Sequence, residues 1–189
     1  MSRPTLTTER LVLRPFALDD AADVTRLVSD RRIADTTLNI PHPYDEGTAA
    51  AWIGTHAEVA ERDEGLTLAV TVAASGQIVG AVGLSITRPH RRGELGYWTA
   101  VDQWGRGYAT EASRAMLDHA FGALDLSRVV AHCLTRNEGS WRVMEKLGMQ
   151  REGRLRQHVV KWDVPEDIWL YGILREEWRA LRRAADPYT

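Results

Sequence analysis

The chain has 189 residues, of which 44% are hydrophobic and 26% charged, and its formal net charge is -2 at pH 7. These values predict a single domain over residues 1–189 with a substantial core, and they argue against nucleic acid as a partner. The one cysteine, Cys133, excludes an internal disulfide and a cysteine-built metal site, and the six histidines lack ligand spacing. We therefore expect no bound metal. No apolar run reaches the roughly 20 residues that span a bilayer, and no signal peptide is evident, which predicts a cytoplasmic protein with no membrane partner.

Apolar residues recur alternately at strand spacing and at helix spacing along the chain. The first part of the chain predicts a strand over 10–16, a helix over 18–30, a loop-like segment over 31–44 and a helix over 44–64. The middle part predicts strands over 66–73, 77–87 and 91–101, followed by a helix over 108–125. The last part predicts a strand over 128–134, a helix over 137–148, closing strands over 151–162 and 167–178, and a helical segment within 173–186. Helices interspersed with strands predict an α/β or α+β sandwich whose central sheet is covered on both faces.

A glycine-rich segment, DQWGRGYATEA over residues 102–112, lies between a predicted strand and a predicted helix. Gly105 and Gly107 allow a sharp turn that exposes successive N–H groups at a helix start, where the helix dipole favours an anion. The chain lacks the GxxxxGK[ST] string of a P-loop, and GRGYAT lies mid-chain without the third glycine of the dinucleotide fingerprint. A pyrophosphate loop and an ordinary glycine-rich turn both stay open on this stretch alone.

Several strings resemble, in order, the GCN5-related N-acetyltransferase (GNAT) family, and within it the ribosomal-protein N-terminal (RimJ/RimL-like) branch. They are LTTERLVLRPF, HRRGELGYW, WGRGYATEA, NEGSWRVMEKLGM with REGRLR, and DIWLYGILREEW. The resemblance implies a mixed central sheet splayed at its middle strands, with helices on both faces. It also implies acetyl transfer from acetyl-CoA to a primary amine, by direct attack in a ternary complex. Relatives of this kind are often dimers, so a homodimer is compatible with it.

The resemblance also implies a set of cofactor contacts. Pantetheine would pair with the exposed edge of the strand over 91–101, and pyrophosphate would meet the amides of the glycine-rich segment. The residues implied are Tyr97, Trp98, Thr99, Val101, Trp104, Gly105, Arg106, Gly107, Tyr108, Ala109, Thr110, Asn137 and Ser140. The family's loop usually begins with Gln or Arg, and Trp104 in that position removes one polar contact.

Catalysis requires that the amine lose a proton before it attacks and that the departing thiolate gain one. The resemblance places Ser140 near the CoA sulfur and Asn137 at the pantetheine amide. Both residue types are also ordinary caps of a helix over 138–147, and the two roles are compatible.

Glu94, on the central strand, is the first candidate for the general base, because a half-buried carboxylate there would have a raised pKa. The alternative is that Glu94 simply pairs with Arg91, Arg92 or another cation. His158 is the second candidate and His90 the third.

The acceptor stays open between a protein N-terminal α-amine and a small amine or antibiotic. Trp52 is the aromatic expected to face the acceptor, because its helix walls the acceptor cleft in this fold. Some ribosomal-protein members carry a glutamate where this chain has Val159, which favours a second class of protein, a non-catalytic acyl-CoA-binding module. A dinucleotide-binding oxidoreductase is a third class, and stabilisation by NAD rather than CoA would indicate it.

Overall fold

An eight-stranded sheet separates two layers of helices. The computed structural model describes residues 3–185. The strands are β1 (Leu6–Thr7), β2 (Leu11–Pro15), β3 (Gly65–Val72), β4 (Ile78–Thr87), β5 (Arg92–Thr99), β6 (Arg128–Leu134), β7 (Gln150–Lys161) and β8 (Val164–Leu174). Their order in the sheet is β1-β2-β3-β4-β5-β6-β8-β7. Within the described range the β5–β6 pairing is parallel and the other pairings are antiparallel.

The helices divide between the two faces of the sheet, because side chains alternate along each strand. They are α1 (Ala21–Val28), α2 (Arg31–Thr36), α3 (Glu46–Glu61), α4 (Tyr108–Phe121), α5 (Glu138–Lys146) and α6 (Arg175–Ala185). On β5, Leu95 belongs to the buried cluster that contains residues of α4, α5 and α6, whereas Trp98 belongs to the one that contains residues of α1, α2 and α3. We call these two sides the α4–α6 face and the α1–α3 face.

The two middle strands separate soon after they meet. β5 and β6 pair from Arg92–Arg128 to Glu94–Val130, and no pairing between them continues beyond that point in the described chain. β5 stays paired to β4 as far as Thr99, and β6 stays paired to β8 as far as Leu134. A gap thus opens between residues 95–99 and 131–134. The predicted splay of the middle strands is confirmed, and so are the mixed sheet and the helices on both faces.

The predicted loop over 31–44 is wrong for its first part. Residues Arg31–Thr36 form α2, and the N-cap is Asp30, whose carboxylate accepts the Arg32 N–H at 3.0 Å. Its buried residues are Ile33 and Ala34, too few to establish a helical period in the sequence. The two-residue strand β1 was not predicted either. No helix within residues 3–185 is long and apolar enough to cross a bilayer. The single domain stays a prediction, and residues 1–2 and 186–189 lie outside the described range.

His56, on α3, is buried with an unsatisfied ring. The residue is 6% exposed, and neither ring nitrogen has a hydrogen-bond partner in the described structure. Its ring centroid lies 4.5 Å from that of Trp52 and 5.6 Å from that of Phe16. Burial, assisted by the charge of Arg3, lowers the pKa of His56 to about 4, because the imidazolium would lose its hydration.

We expect the free energy of unfolding to fall as the pH drops from 6.5 towards about 4. The unfolded chain binds a proton there that the folded chain excludes, so the contribution of His56 is complete above pH 6.5. The loss of this contribution lowers the free energy of unfolding by about 2 to 3 kcal/mol. In urea unfolding at pH 7.5 and 4.5, His56→Phe should remove this part of the pH dependence, whereas a Phe at the exposed His90 should keep it. An equal pH dependence in His56→Phe and the wild type would contradict the assignment.

Candidate active site

The glycine-rich segment forms the start of α4. Gly105 and Gly107 have φ values of +77° and +81°, a left-handed conformation that suits glycine. Gly107 is the N-cap residue of α4, and no side chain of that residue caps the helix. The Glu111 N–H donates to the Gly107 carbonyl at 3.0 Å. The backbone N–H groups that come before Glu111 in the first turn of α4 have no acceptor within the helix. Together with the positive end of the helix dipole, they form a surface suited to a phosphate group.

Residues of the turn between β1 and β2 brace this loop. The Arg10 guanidinium donates to the Arg106 carbonyl at 3.1 Å and to Glu111 Oε2 at 2.7 Å. Glu111 Oε1 also accepts the Thr8 hydroxyl at 2.6 Å, and Arg10 lies 5.0 Å from the centre of the Tyr108 ring. Arg10 and Glu111 are 101 residues apart in the chain, so no local sequence pattern indicates that they meet. We did not predict this contact from the sequence.

Trp104, at the position where the resemblance implies Gln or Arg, makes a hydrogen bond of its own. Its indole N–H donates to the Thr99 carbonyl at 2.8 Å. The Ala100 N–H points towards β4, where it donates to Val79 at 2.8 Å. Since the C=O and N–H of one trans peptide point in opposite directions, the Thr99 carbonyl faces the gap. Trp104 therefore ties the loop to the free edge of β5.

Two hydroxyl groups meet on the α4–α6 face of the gap. The Tyr97 hydroxyl donates to the Ser140 carbonyl at 2.9 Å and lies 3.0 Å from Ser140 Oγ. Burial raises the pKa of Tyr97 far above its ordinary value, so the phenol stays protonated at neutral pH. Cys133 lies beside this pair, and burial raises its pKa to about 11, which makes it a packed thiol rather than a nucleophile. The sequence prediction assigned only the backbone of Tyr97 and missed its side chain.

Asn137 uses both ends of its side-chain amide. Its Oδ1 accepts the Ser140 N–H at 3.1 Å, which caps α5, and its Nδ2 donates to the Thr36 carbonyl at the end of α2 at 2.7 Å. The capping role predicted from the residue type is therefore observed. The second bond joins α5 to the segment on the other face of the sheet.

Glu94 pairs with a residue that we did not predict. His132 Nδ1 lies 3.1 Å from Glu94 Oε1, and Glu94 is 50% exposed while His132 is 21% exposed. Hydrogen bonding to His132 lowers the pKa of Glu94 despite partial desolvation, so the expected raised pKa is wrong. Arg91, one of the cations considered as a partner, instead pairs with Asp125 at 2.5 Å.

The other predicted residues lie in separate surroundings. His158 is exposed on β7 where the pairing is irregular, and it lines an open depression walled by residues of β7 and β8. His90 is exposed in the turn before β5. Trp52 is partly buried and packs edge-on to Phe16 at 5.1 Å and to His56 at 4.5 Å. The structure thus brings Glu94, Tyr97, Asn137 and Ser140 together around the gap, and it sets His158 on the β7–β8 hairpin.

The backbone positions predicted for the cofactor lie along one continuous path. Tyr97, Trp98 and Thr99 are on the part of β5 that is not paired to β6, and Val101 opens the short turn that follows. Ala109 and Thr110 lie in the first turn of α4. Among residues 3–185, no three His, Cys, Asp or Glu side chains are grouped as a metal site requires.

Comparisons of the sequence with known proteins agree with the fold and the site described above. The model of the acetyltransferase (GNAT) domain matches residues 10–150. The chain is 30% identical over 173 residues, 91% of this chain and 97% of the relative, to a protein named uncharacterized N-acetyltransferase YoaA from Bacillus subtilis (strain 168). It is 28% identical over 96 residues, 50% of this chain and 54% of the relative, to the ribosomal-protein-serine acetyltransferase of Escherichia coli (strain K12).

A solved structure agrees over the whole fold. The GNAT-family acetyltransferase from Bacillus anthracis superposes with a TM-score of 0.82 at 25% identity, covering 92% of this chain and 99% of that one. The predicted family and fold class are therefore confirmed. With a splayed sheet, a helix start suited to a phosphate group and a match over most of its length, the chain belongs to the GNAT family of acetyltransferases, enzymes whose co-substrate is acetyl-CoA.

Proposed function

We propose that this enzyme acetylates the α-amine of a polypeptide N-terminus by direct attack on acetyl-CoA in a ternary complex. The observation that carries the proposal is the 50% exposure of Glu94 on the α1–α3 face of the gap. An N-terminus attached to a folded protein needs an open approach, whereas an enclosed pocket suits a small amine. The similarity to a ribosomal-protein-serine acetyltransferase supports the same acceptor class.

The cofactor would follow the path between β5 and α4. The pyrophosphate would accept hydrogen bonds from the amides of residues 105–110, and Arg106 would add a positive charge at the same loop. Pantetheine would pair with the free edge of β5 from Tyr97 to Val101. The Thr99 carbonyl already has a donor in Trp104, so this pairing would use the other backbone groups of the edge. Asn137 would contribute through its unused lone pairs and its remaining N–H.

The hydroxyl pair would serve the leaving group. A thiolate formed near Ser140 needs a proton, and Ser140 Oγ and the Tyr97 hydroxyl lie 3.0 Å apart. Since the raised pKa of Tyr97 keeps that residue protonated, the pair can pass a proton to the sulfur.

A small-amine or antibiotic acetyltransferase is the second candidate, and the aromatic cluster of Trp52 with Phe16 on the α1–α3 face favours it. A non-catalytic acyl-CoA-binding module would have no use for the Glu94–His132 and Tyr97–Ser140 pairs. A cytoplasmic location and a homodimer both stay predictions.

Acceptor choice is tested by thiol release from acetyl-CoA with a panel of amines. The panel holds peptides that begin with Ser, Ala or Met, the same peptides with acetylated N-termini, polyamines and aminoglycosides. We expect turnover on the free peptides and none on the blocked ones, even where an internal lysine is present. Turnover confined to polyamines or aminoglycosides would replace the proposal by the second candidate. CoA binding without turnover on any amine would indicate the module.

A further inference from the structure

The gap carries a different pair of polar side chains on each face at the same level of the sheet. His132 and Cys133 are consecutive on β6, so their side chains point to opposite faces. Cys133 belongs to the core of the α4–α6 face and lies beside Ser140 and Tyr97. His132 reaches Glu94 on the opposite, α1–α3 face. A thioester held at this level would have hydroxyl donors on one side and an imidazole with a carboxylate on the other.

We propose that His132 is the general base of acetyl transfer and that Glu94 is its positioning residue. The inference rests on the proposed function, because it requires an amine acceptor that approaches from the α1–α3 face. It reverses the role that the sequence suggested for Glu94, which acts here through the imidazole and not on the amine.

The tautomer of His132 follows from its partner. An ionised carboxylate accepts hydrogen bonds and cannot donate them. The 3.1 Å contact between Glu94 Oε1 and His132 Nδ1 therefore fixes the proton on Nδ1. The lone pair of the neutral ring then lies on Nε2, where it can take a proton from an amine. The side chain of His132 is 21% exposed, so it is not sealed in the core.

The other charged groups near the pair do not compete for it. Arg92, two residues before Glu94 on β5, adds a positive charge that helps to keep the carboxylate ionised. Arg128, the first residue of β6, pairs with Glu152 of β7 beside Gly172. The β8 residue opposite His132 is the uncharged Leu170. Within residues 3–185, the carboxylate within ion-pair distance of the imidazole is therefore that of Glu94.

The acceptor ammonium gives one proton to His132 Nε2, which passes it to water. The neutral nitrogen attacks the thioester carbon, so that a C–N bond forms and the C–S bond breaks. The sulfur leaves with the electron pair of that bond and receives a proton through the Tyr97–Ser140 pair. The proton that the nitrogen loses on becoming an amide restores the hydroxyl pair.

The test is the pH dependence of kcat/KM for His132→Gln and Glu94→Gln, with the best amine of the panel as acceptor. We expect His132→Gln to lower the plateau value of kcat/KM by about 10²- to 10³-fold. The pH profile of kcat/KM should also lose the step that comes from ionisation of the enzyme. Added imidazole should restore part of the activity of His132→Ala. Glu94→Gln should retain an enzyme ionisation with a smaller loss, because the histidine remains. Thermal stabilisation by CoA should be equal in all variants, which separates a chemical defect from misfolding.

Two outcomes would overturn the inference without touching the proposed function. A wild-type profile in His132→Gln, with the ionisation lost in Glu94→Gln, would make Glu94 the base. Loss of the ionisation on making the same change at His158 would make that residue the base. If only small amines are acetylated, the proposed acceptor fails while this test still runs with those amines. If the wild type turns over no amine, both proposals fail.

Discussion

Gly107→Val is expected to weaken acetyl-CoA binding by roughly tenfold or more. A side chain in the left-handed region costs about 1–2 kcal/mol, a penalty equivalent to about a tenfold change in an equilibrium constant. Gly107 has a φ of +81°, and the nearest atom to an added Cβ is Arg10 Nη2 at 3.5 Å. Backbone strain rather than crowding by protein atoms therefore drives the change. The loop would relax to another conformation and its amides would no longer converge on the pyrophosphate. Calorimetric titration with acetyl-CoA measures the loss.

Gly76 provides a matched control. It lies in the turn between β3 and β4 with a φ of +71°, and no atom lies within 4 Å of an added Cβ. Gly76→Val imposes a similar backbone strain outside the glycine-rich segment, so it should lower stability while leaving acetyl-CoA affinity unchanged. Equal affinity in Gly107→Val and the wild type would remove the pyrophosphate assignment from this loop.

Ser140→Ala is expected to lower kcat by about 10²-fold while leaving the affinity for acetyl-CoA nearly unchanged, since a positioned proton donor contributes on this scale. The contacts of the Ser140 backbone survive the substitution, because the Asn137 cap uses its N–H and Tyr97 donates to its carbonyl. The change thus removes one hydroxyl and little else. Steady-state kinetics at saturating acetyl-CoA, together with calorimetry, separate the two parameters.

Ser113 is the matched control for the loss of a serine hydroxyl. It is fully buried on α4, and its Oγ has no hydrogen-bond partner in the described structure. Ser113→Ala should leave kcat unchanged. An equal kcat in Ser140→Ala and the wild type would reduce Ser140 to a structural role in α5. Tyr97→Phe would then show whether the phenol alone supplies the proton.

The strands and the longer helices could be predicted because local pattern determines them. The alternation in RLVLRPF and the run RVVAHCL gave β2 and β6, and the helix over 108–125 matches α4 in its core. By contrast, α2 buries only Ile33 and Ala34 and so carries no helical period. Its position depends on contacts such as that of Thr36 with Asn137, which no local pattern encodes.

The site was predictable where backbone chemistry forms it and unpredictable where side chains meet across the fold. Glycines next to a helix start reveal an anion loop, because few other residues adopt the conformation. The Glu94–His132 contact joins residues 38 apart on strands that meet only in the folded sheet. Its effect on the pKa of Glu94 was likewise hidden, since burial alone would have raised that pKa.

The amide of Asn137 has a consequence for how such an enzyme changes its substrate during evolution. One end of the group holds the first turn of α5, where Ser140 lies, and the other holds the last residue of α2. An insertion or deletion in α2 that moved Thr36 would pull on the same amide that orients Ser140. New acceptors are therefore more readily acquired through substitutions on α3 than through changes in the length of α2, because the latter would disturb the reaction centre at the same time.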